Sequence, residues 1–143
     1  MKRDDVVGVC LRASLFHVSR ITFHVRRNLL IIDVNTYLGH WPFRQLRYNT
    51  ADKLIELMNK NGIDKAIVSS LNAIFYKNCQ SGNEELAAET REHREYFIPF
   101  ATLNPMYPGW EDDFELCVEK FNMKGLRMFP HYHNYKLTDD ASL

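Results

Sequence analysis

Cysteine is scarce in this chain of 143 residues, and the three thiols that it has stand far apart. They are Cys10, Cys79 and Cys117, an odd number in which no two form a CxxC pair. This spacing argues against a disulfide framework and against a thiolate zinc site. Reduced, scattered thiols are typical of cytoplasmic proteins, so we predict a cytoplasmic location.

Net charge is absent as well, because 18 basic side chains balance 18 acidic ones. This balance favours neither nucleic acid nor an anionic membrane as a partner. No stretch approaches the roughly 18 apolar residues of a membrane span, and the first residues lack the apolar run of a secretory signal. We therefore predict no nucleic-acid partner and no membrane partner.

The first 28 residues carry little pattern. Residues 15–26 alternate weakly between apolar and polar side chains, which allows a short strand. Several arginines in this segment are opposed only by Asp4 and Asp5. We interpret residues 1–28 as a poorly specified N-terminal extension.

Residues 29–143, in contrast, repeat strand and helix signals. Compact apolar runs occupy four segments: LLIIDV (29–34), KAIVSSL (65–71), FIPFATL (97–103) and GLRMF (125–129). Short runs without alternation favour strands buried on both faces of a parallel sheet. Their spacing of about 30 residues matches the βαβ unit. The pattern predicts an α/β fold with right-handed crossovers.

Helix signals separate these runs. Thr50 is a suitable N-cap for the first helix, and the pair Asn61-Gly62 is a left-handed stop. We predict that Ser81 or Asn83 caps a second helix that runs to about Arg94, and that a third helix spans residues 109–123. The third helix places four apolar residues at helical spacing: Phe114, Cys117, Val118 and Phe121.

The segments at the strand ends carry a family likeness. They read DVNTYLGHWPFR (33–44), NGIDKAIVSS (61–70), ATLNP (101–105) and KGLRMFPHYHNY (124–135). In this order they resemble the amidohydrolase superfamily, in particular the amidohydrolase-related (amidohydrolase 2) branch with its aromatic-acid decarboxylases and lactone hydrolases. The resemblance covers residues 29–143. It implies a (β/α)8 TIM barrel of which this chain holds about the first four βα units, so we expect a truncated barrel.

The resemblance also implies an activity and a cofactor. The family consists of hydrolases and decarboxylases that use a divalent metal such as zinc or manganese. Its first strand carries two metal-binding histidines one residue apart, and this sequence has Asn35 and Tyr37 at those positions. Asparagine and neutral tyrosine are poor zinc ligands, so we predict that the usual metal site is missing. The family's other ligands and its catalytic acid or base lie on later strands, so the catalytic residues stay unassigned.

Five polar residues near predicted strand ends are candidates for a substrate pocket, because the carboxyl ends of parallel strands form the ligand-binding face. They are Asn35, Tyr37, His40, Arg127 and His131.

Each candidate has a structural alternative. Asn35 and Tyr37 either bind substrate in place of a metal or are structural replacements. Arg127 offers a planar fork for a substrate carboxylate, or it forms a structural ion pair. His131 and His133 have the spacing of a metal pair, but histidines in a loop are also commonly solvated. The loop from His40 to Arg44 is either a substrate wall or ordinary packing of Trp41.

Three functions are compatible with these features. The first is a hydrolase or decarboxylase that acts on a small carboxylated or cyclic substrate without the usual metal. The second is a non-catalytic barrel relative that binds a ligand or partner. The third is a partial product whose exposed sheet edges pair with other chains, for example in a homo-oligomer.

Overall fold

The computed structural model describes residues 30–138. The predicted extension over residues 1–28, the strand allowed within it and Cys10 lie outside these residues. Strands and helices alternate along the described part. The strands are β1 (Ile32–Leu38), β2 (Lys65–Ser70), β3 (Phe97–Thr102) and β4 (Gly125–Arg127). The helices are α1 (Ala51–Asn61), α2 (Leu71–Phe75), α3 (Cys79–Thr90), α4 (Trp110–Glu119) and α5 (Pro130–His133).

The four strands form one parallel sheet in the order β1-β2-β3-β4. Neighbours in the sheet are therefore neighbours in the sequence, as in a (β/α)8 barrel. This confirms the predicted α/β class and the predicted likeness to the first four units of such a barrel. Within residues 30–138, every helix is too short or too polar to span a bilayer.

The hydrophobic core lies between the sheet and the longer helices. Side chains alternate across a strand, so one face of β2 and β3 packs against the helices. The core combines Leu38, Ala66, Val68, Phe97 and Ala101 of the strands with Leu54, Met58, Leu86 and Cys117 of the helices. Burial of each large apolar side chain contributes about 1.5–3 kcal/mol to folding.

The ends of α1 follow the sequence signals, although the capping partner differs. Thr50 holds the N-cap position but makes no side-chain capping bond. Instead, the N–H of Ala51 donates to Glu89 Oε1 at 2.7 Å, so a carboxylate of α3 caps α1. Gly62 ends the helix with φ +69°, which is the predicted left-handed stop.

The predicted second helix is wrong at both ends. α3 begins at Cys79, because Asn78 caps it by accepting a hydrogen bond from the N–H of Gln80 at 2.9 Å. It ends at Thr90 rather than near Arg94. The separate short helix α2 precedes it, capped by the Ser70 hydroxyl.

Asn83, a predicted cap, is instead buried inside α3 and joins that helix to the sheet. Its Oδ1 accepts from the N–H of Thr102 at 2.9 Å, and its Nδ2 donates to the carbonyl oxygen of Thr102 at 2.9 Å. Both backbone groups at the end of β3 are thereby satisfied, as burial requires. One amide side chain thus fixes the carboxyl end of β3 against α3.

The prediction that the first strand is buried on both faces is wrong. Ile31 is 44% exposed, Ile32 is 39% exposed and Val34 is 62% exposed. Within the described residues β1 pairs only with β2, so its other edge and part of its apolar surface face outward.

The third predicted helix is shorter than expected and only partly buried. α4 ends at Glu119 instead of residue 123, and Cys117 is fully buried. Phe114 and Val118 are 39% and 46% exposed. The described elements cover one flank of α4 and leave the flank beside β4 open. The fourth strand likewise ends at Arg127 instead of residue 129, and the turn α5 replaces the predicted loop.

We expect the Gly82→Ala variant to lose about 1–3 kcal/mol of unfolding free energy, the usual cost of overpacking. A Cβ at Gly82 would lie 2.4 Å from the backbone nitrogen of Ala73 and 2.7 Å from its Cβ. Helices α2 and α3 would therefore have to separate. Urea denaturation of the full chain, followed by circular dichroism, measures the loss. The exposed neighbour Ser81→Ala is the control and should change stability by less than about 0.5 kcal/mol. A Gly82→Ala variant as stable as the unmodified chain would contradict this close packing.

Candidate functional site

A cleft of about 680 Å³ opens at the carboxyl ends of the strands. This is the face of an α/β sheet at which ligands bind. The lining residues follow β1, β2 and β4: Tyr37, Trp41, Arg44, Leu46, Leu71, Ile74, Phe129 and Tyr132. A mostly apolar and aromatic lining with one guanidinium group is typical of a small-molecule site.

Edge-to-face aromatic contacts hold the loops around this cleft. The ring centroids of Trp41 and Phe75 are 5.2 Å apart, and those of Phe75 and Tyr132 are 5.4 Å apart. Phe43 joins them at 5.7 Å from Trp41. Such pairs contribute about 0.5–1.5 kcal/mol each beyond their burial. Because the rings come from three different strand-end segments, the cluster fixes these segments relative to one another.

The Asn72 side chain of α2 holds the loop that follows β1. The N–H of His40 donates to Asn72 Oδ1 at 3.0 Å, and Asn72 Nδ2 donates to Glu85 Oε2 at 2.6 Å. A Cβ at Gly39 would lie 3.0 Å from the same Asn72 oxygen. The absence of a side chain at Gly39, with φ +104°, therefore lets the loop approach α2 and directs Trp41 toward the cleft.

Arg127 connects the last strand of the sheet to the first. Its Nη2 donates to the carbonyl oxygen of Val34 at 2.7 Å, and its Nη1 donates to that of Thr36 at 3.1 Å. Its guanidinium also lies 4.7 Å from the ring centroid of Tyr37. Neither a substrate carboxylate nor an ion pair is needed to explain its place in β4, because backbone carbonyls and a π face satisfy the charge.

Asn35 and Tyr37 contact each other. The Tyr37 hydroxyl donates to Asn35 Oδ1 at 3.2 Å, while the N–H of Asn35 donates to Asp33 Oδ1 at 3.0 Å. Asn35 Oδ1, the atom that would bind a cation, thus already accepts a hydrogen bond from Tyr37. Within residues 30–138, no three His, Cys, Asp or Glu side chains converge on a point that could hold a metal ion. The metal-ligand types among the described residues therefore do not fit the divalent metal of the family. That the protein lacks this metal stays a prediction.

The two histidines after β4 lie in different environments. His131 is exposed at the start of α5. His133 is half-buried, and its Nε2 lies 3.2 Å from the carbonyl oxygen of Ile74 and 3.9 Å from Cys79 Sγ. The two side chains therefore do not form the paired site that their spacing allows.

Of the five predicted pocket residues, the structure places only some together. Tyr37 lines the cleft, Arg127 packs on its ring, and Asn35 accepts a hydrogen bond from its hydroxyl. His40 and His131 are exposed and do not line the cleft.

Several lining residues were not predicted. Leu71 and Ile74 belong to α2, whose short sequence carries no clear helix period. Phe129 and Tyr132 flank the turn α5. The signal that could have found the last two is the aromatic content of the fourth strand-end segment.

The comparisons with known proteins identify a fold. The chain matches no family model, and no curated protein matches it in sequence. Solved structures do match. A candidate amidohydrolase from Staphylococcus aureus superposes with a TM-score of 0.64 at 19% identity, over 80% of this chain and 42% of that one. A manganese-bound 5-carboxyvanillate decarboxylase from Novosphingobium aromaticivorans superposes with a TM-score of 0.63 at 15% identity, over 80% and 46% of the two chains.

A third solved structure supports the same assignment. The 4-oxalomesaconate hydratase from Rhodopseudomonas palustris superposes with a TM-score of 0.54 at 18% identity, over 78% of this chain and 46% of that one. The chain therefore spans less than half the length of these structures. The likeness confirms, at the level of the fold, the predicted resemblance to the N-terminal part of amidohydrolase-superfamily barrels.

We expect Arg127→Met to destabilise the chain by about 1–3 kcal/mol, because the carbonyl oxygens of Val34 and Thr36 lose a charged donor. Arg127→Lys keeps the charge but lacks the planar guanidinium, so its unfolding free energy should lie between those of the unmodified chain and Arg127→Met. The measurement is the free energy of unfolding in urea. The exposed Arg91→Met is the matched control, with an expected change below about 0.5 kcal/mol. Equal losses of unfolding free energy in Arg91→Met and Arg127→Met would show that the bonds from Arg127 to β1 do not stabilise the chain.

The buried thiols predict a loss of stability in alkali. Burial, with a smaller contribution from the nearby Asp113 carboxylate, raises the pKa of Cys79 and of Cys117 to about 11. The unfolded chain ionises these thiols first, so stability should fall as pH rises from about 9 to about 11. The double variant Cys79→Ala/Cys117→Ala should show a shallower fall in urea midpoint over this range. A slope identical to that of the unmodified chain would contradict the assignment.

Proposed function

We propose that the cleft binds a small planar carboxylate, as part of a hydrolase or decarboxylase of the amidohydrolase-like fold. The observation that carries the proposal is the cleft itself, with aromatic walls and Arg44 on its lining. Its position at the carboxyl ends of parallel strands is where such barrels bind substrates. Two of the structurally similar proteins are named as decarboxylases of aromatic acids, 5-carboxyvanillate and 2,6-dihydroxybenzoate.

The chain's own residues suggest how such a ligand would be held. Trp41 and Tyr132 both contact Phe75 and both line the cleft. Their flat apolar surfaces can pack against the ring of a ligand. Arg44 forms no ion pair within residues 30–138, so its guanidinium is available to a carboxylate as a two-pronged donor. Tyr37 also lines the cleft, where its hydroxyl donates to Asn35 and the Arg127 guanidinium packs on its ring.

A second function is favoured by the donor set. The resemblance predicts Asn35 and Tyr37 in place of the family's metal-binding histidines. A protein without that metal would bind the ligand in the cleft without converting it. This alternative shares the cleft and the ligand, and it differs from the first only in turnover.

We expect 2,6-dihydroxybenzoate to bind the full chain, and Arg44→Gln to weaken binding about tenfold through loss of a charge-assisted bond. Resorcinol, which has the same ring without the carboxylate, should bind equally to both proteins. Isothermal titration calorimetry measures each affinity, with Arg47→Gln as the control, since Arg47 stacks on Tyr48 outside the cleft lining. If Arg44→Gln weakens both ligands equally, or neither, the carboxylate role is wrong.

The same samples separate enzyme from binding protein. Release of carbon dioxide from 2,6-dihydroxybenzoate, unchanged by a chelator, would support a metal-independent decarboxylase. Binding without release would favour the non-catalytic alternative for this substrate. Activity that a chelator abolishes would show that a metal binds despite Asn35 and Tyr37.

A further inference from the structure

The two outer strands of the sheet each have one unpaired edge within residues 30–138. β1 pairs only with β2, and β4 pairs only with β3. Open edges expose backbone donors and acceptors that favour pairing with another strand. Because all four strands are parallel, a strand that joins either edge in the same sense would extend the same parallel sheet.

Both edges are also unusually apolar for exposed surface. Beside β1, the exposed fractions are 59% for Leu30, 44% for Ile31 and 62% for Val34. Beside β4, a groove of about 520 Å³ runs along the open flank of α4. Its apolar lining consists of Ala101, Phe114, Val118, Met123 and Leu126. Exposed apolar surface of this kind is typical of a site at which another protein segment binds.

The charges at the amino ends of the two outer strands are complementary. Lys124 directly precedes β4, and Lys120 caps the end of α4. Asp33 is the second residue of β1, and Asp64, which directly precedes β2, accepts a hydrogen bond from the N–H of Ile31 before β1. None of these four side chains takes part in an ion pair within residues 30–138. If the β4 edge of one chain met the β1 edge of another in parallel, the two lysines would lie near the two aspartates.

The cleft is incomplete on the same side. Its walls come from the segments after β1, β2 and β4, whereas Asn35 and His40 at the mouth of β1 are exposed. A strand-end segment placed beside β1 would supply the wall that the described residues lack.

We propose that a second copy of this chain occupies both edges, so that two chains form one eight-stranded barrel. A twofold axis along the strands places β4 of each copy beside β1 of the other and keeps all eight strands parallel. The contact joins two different edges, and contacts of this kind form a closed ring only when the rotation that relates the copies returns to the first copy. The four strands of residues 30–138 are half of the eight in a (β/α)8 barrel, so two copies together supply the number that closure requires. Both clefts then open on one face, and each copy completes the other's mouth.

Charge reversal with mixing tests this arrangement. The first variant, Lys120→Glu/Lys124→Glu, places acidic groups on the β4 edge against acidic groups on β1. The second, Asp33→Lys/Asp64→Lys, places basic groups against basic groups. Each variant alone should be a monomer, whereas a mixture should form a heterodimer, because both of its contacts again join opposite charges.

Sedimentation equilibrium of the full chain gives the mass of each sample. We expect twice the chain mass of 16.9 kDa for the unmodified protein and for the mixture, and the single mass for each variant. Arg91→Glu is the control and should remain a dimer, since Arg91 ends α3, which packs on the two central strands. Circular dichroism establishes that each variant is folded.

Asp33 and Asp64 also accept backbone hydrogen bonds, so the second variant could lose its fold. Val34→Glu provides the independent test, because its exposed side chain makes no hydrogen bond and would be buried at the proposed contact. This variant should be monomeric and folded.

Three results would overturn the proposal. A monomer at all concentrations would leave the edges to a different partner. A dimer that survives both Lys120→Glu/Lys124→Glu and Val34→Glu would place the contact elsewhere. Open-ended oligomers would show that the edges pair without closing. Sedimentation equilibrium is measured without a ligand, so a failure of the proposed dimer is distinguishable from a failure of the proposed ligand binding.

Discussion

Parallel pairing of four consecutive strands is the constraint on which the rest of this structure depends. It brings every carboxyl end to one face, so segments that are far apart in the sequence meet around one cleft. It also requires a crossover between each pair of strands, and α1, α3 and α4 supply both the crossovers and the opposite wall of the core. The position of the cleft therefore follows from strand direction more than from any single side chain.

Two polar side chains secure the sheet where backbone pairing alone does not. Asn83 satisfies both backbone groups of Thr102 and so fixes the end of β3 to α3. Arg127 bonds to β1 from the far strand and packs on Tyr37. Thr102 and Arg127 are the last residues of β3 and β4, so both contacts lie at the carboxyl ends of these strands.

Contacts between its own side chains set the chemical character of the cleft. Asn35 and Tyr37, at which the sequence resemblance predicts that metal-binding histidines are missing, bond to each other. The surrounding segments instead contribute aromatic rings in edge-to-face contact. Stacking surface and a guanidinium group favour recognition of a planar anion, and this supports binding more directly than it supports any particular reaction.

The sequence by itself determined the strands, their order and the face on which a site would form, because apolar runs and their spacing are local properties. It also located Tyr37 and Arg127 near that face. The tertiary structure decided what the sequence could not. It placed the start of α3 at Cys79, where the Asn78 side chain caps the helix, and it buried Asn83 against Thr102. It gave Arg127 backbone partners about ninety residues away. It brought Ile74, Phe129 and Tyr132 to the cleft, and among the described residues it left part of β1 and one flank of α4 exposed. These outcomes depend on contacts between distant segments, and no local pattern contains the relative positions of those segments.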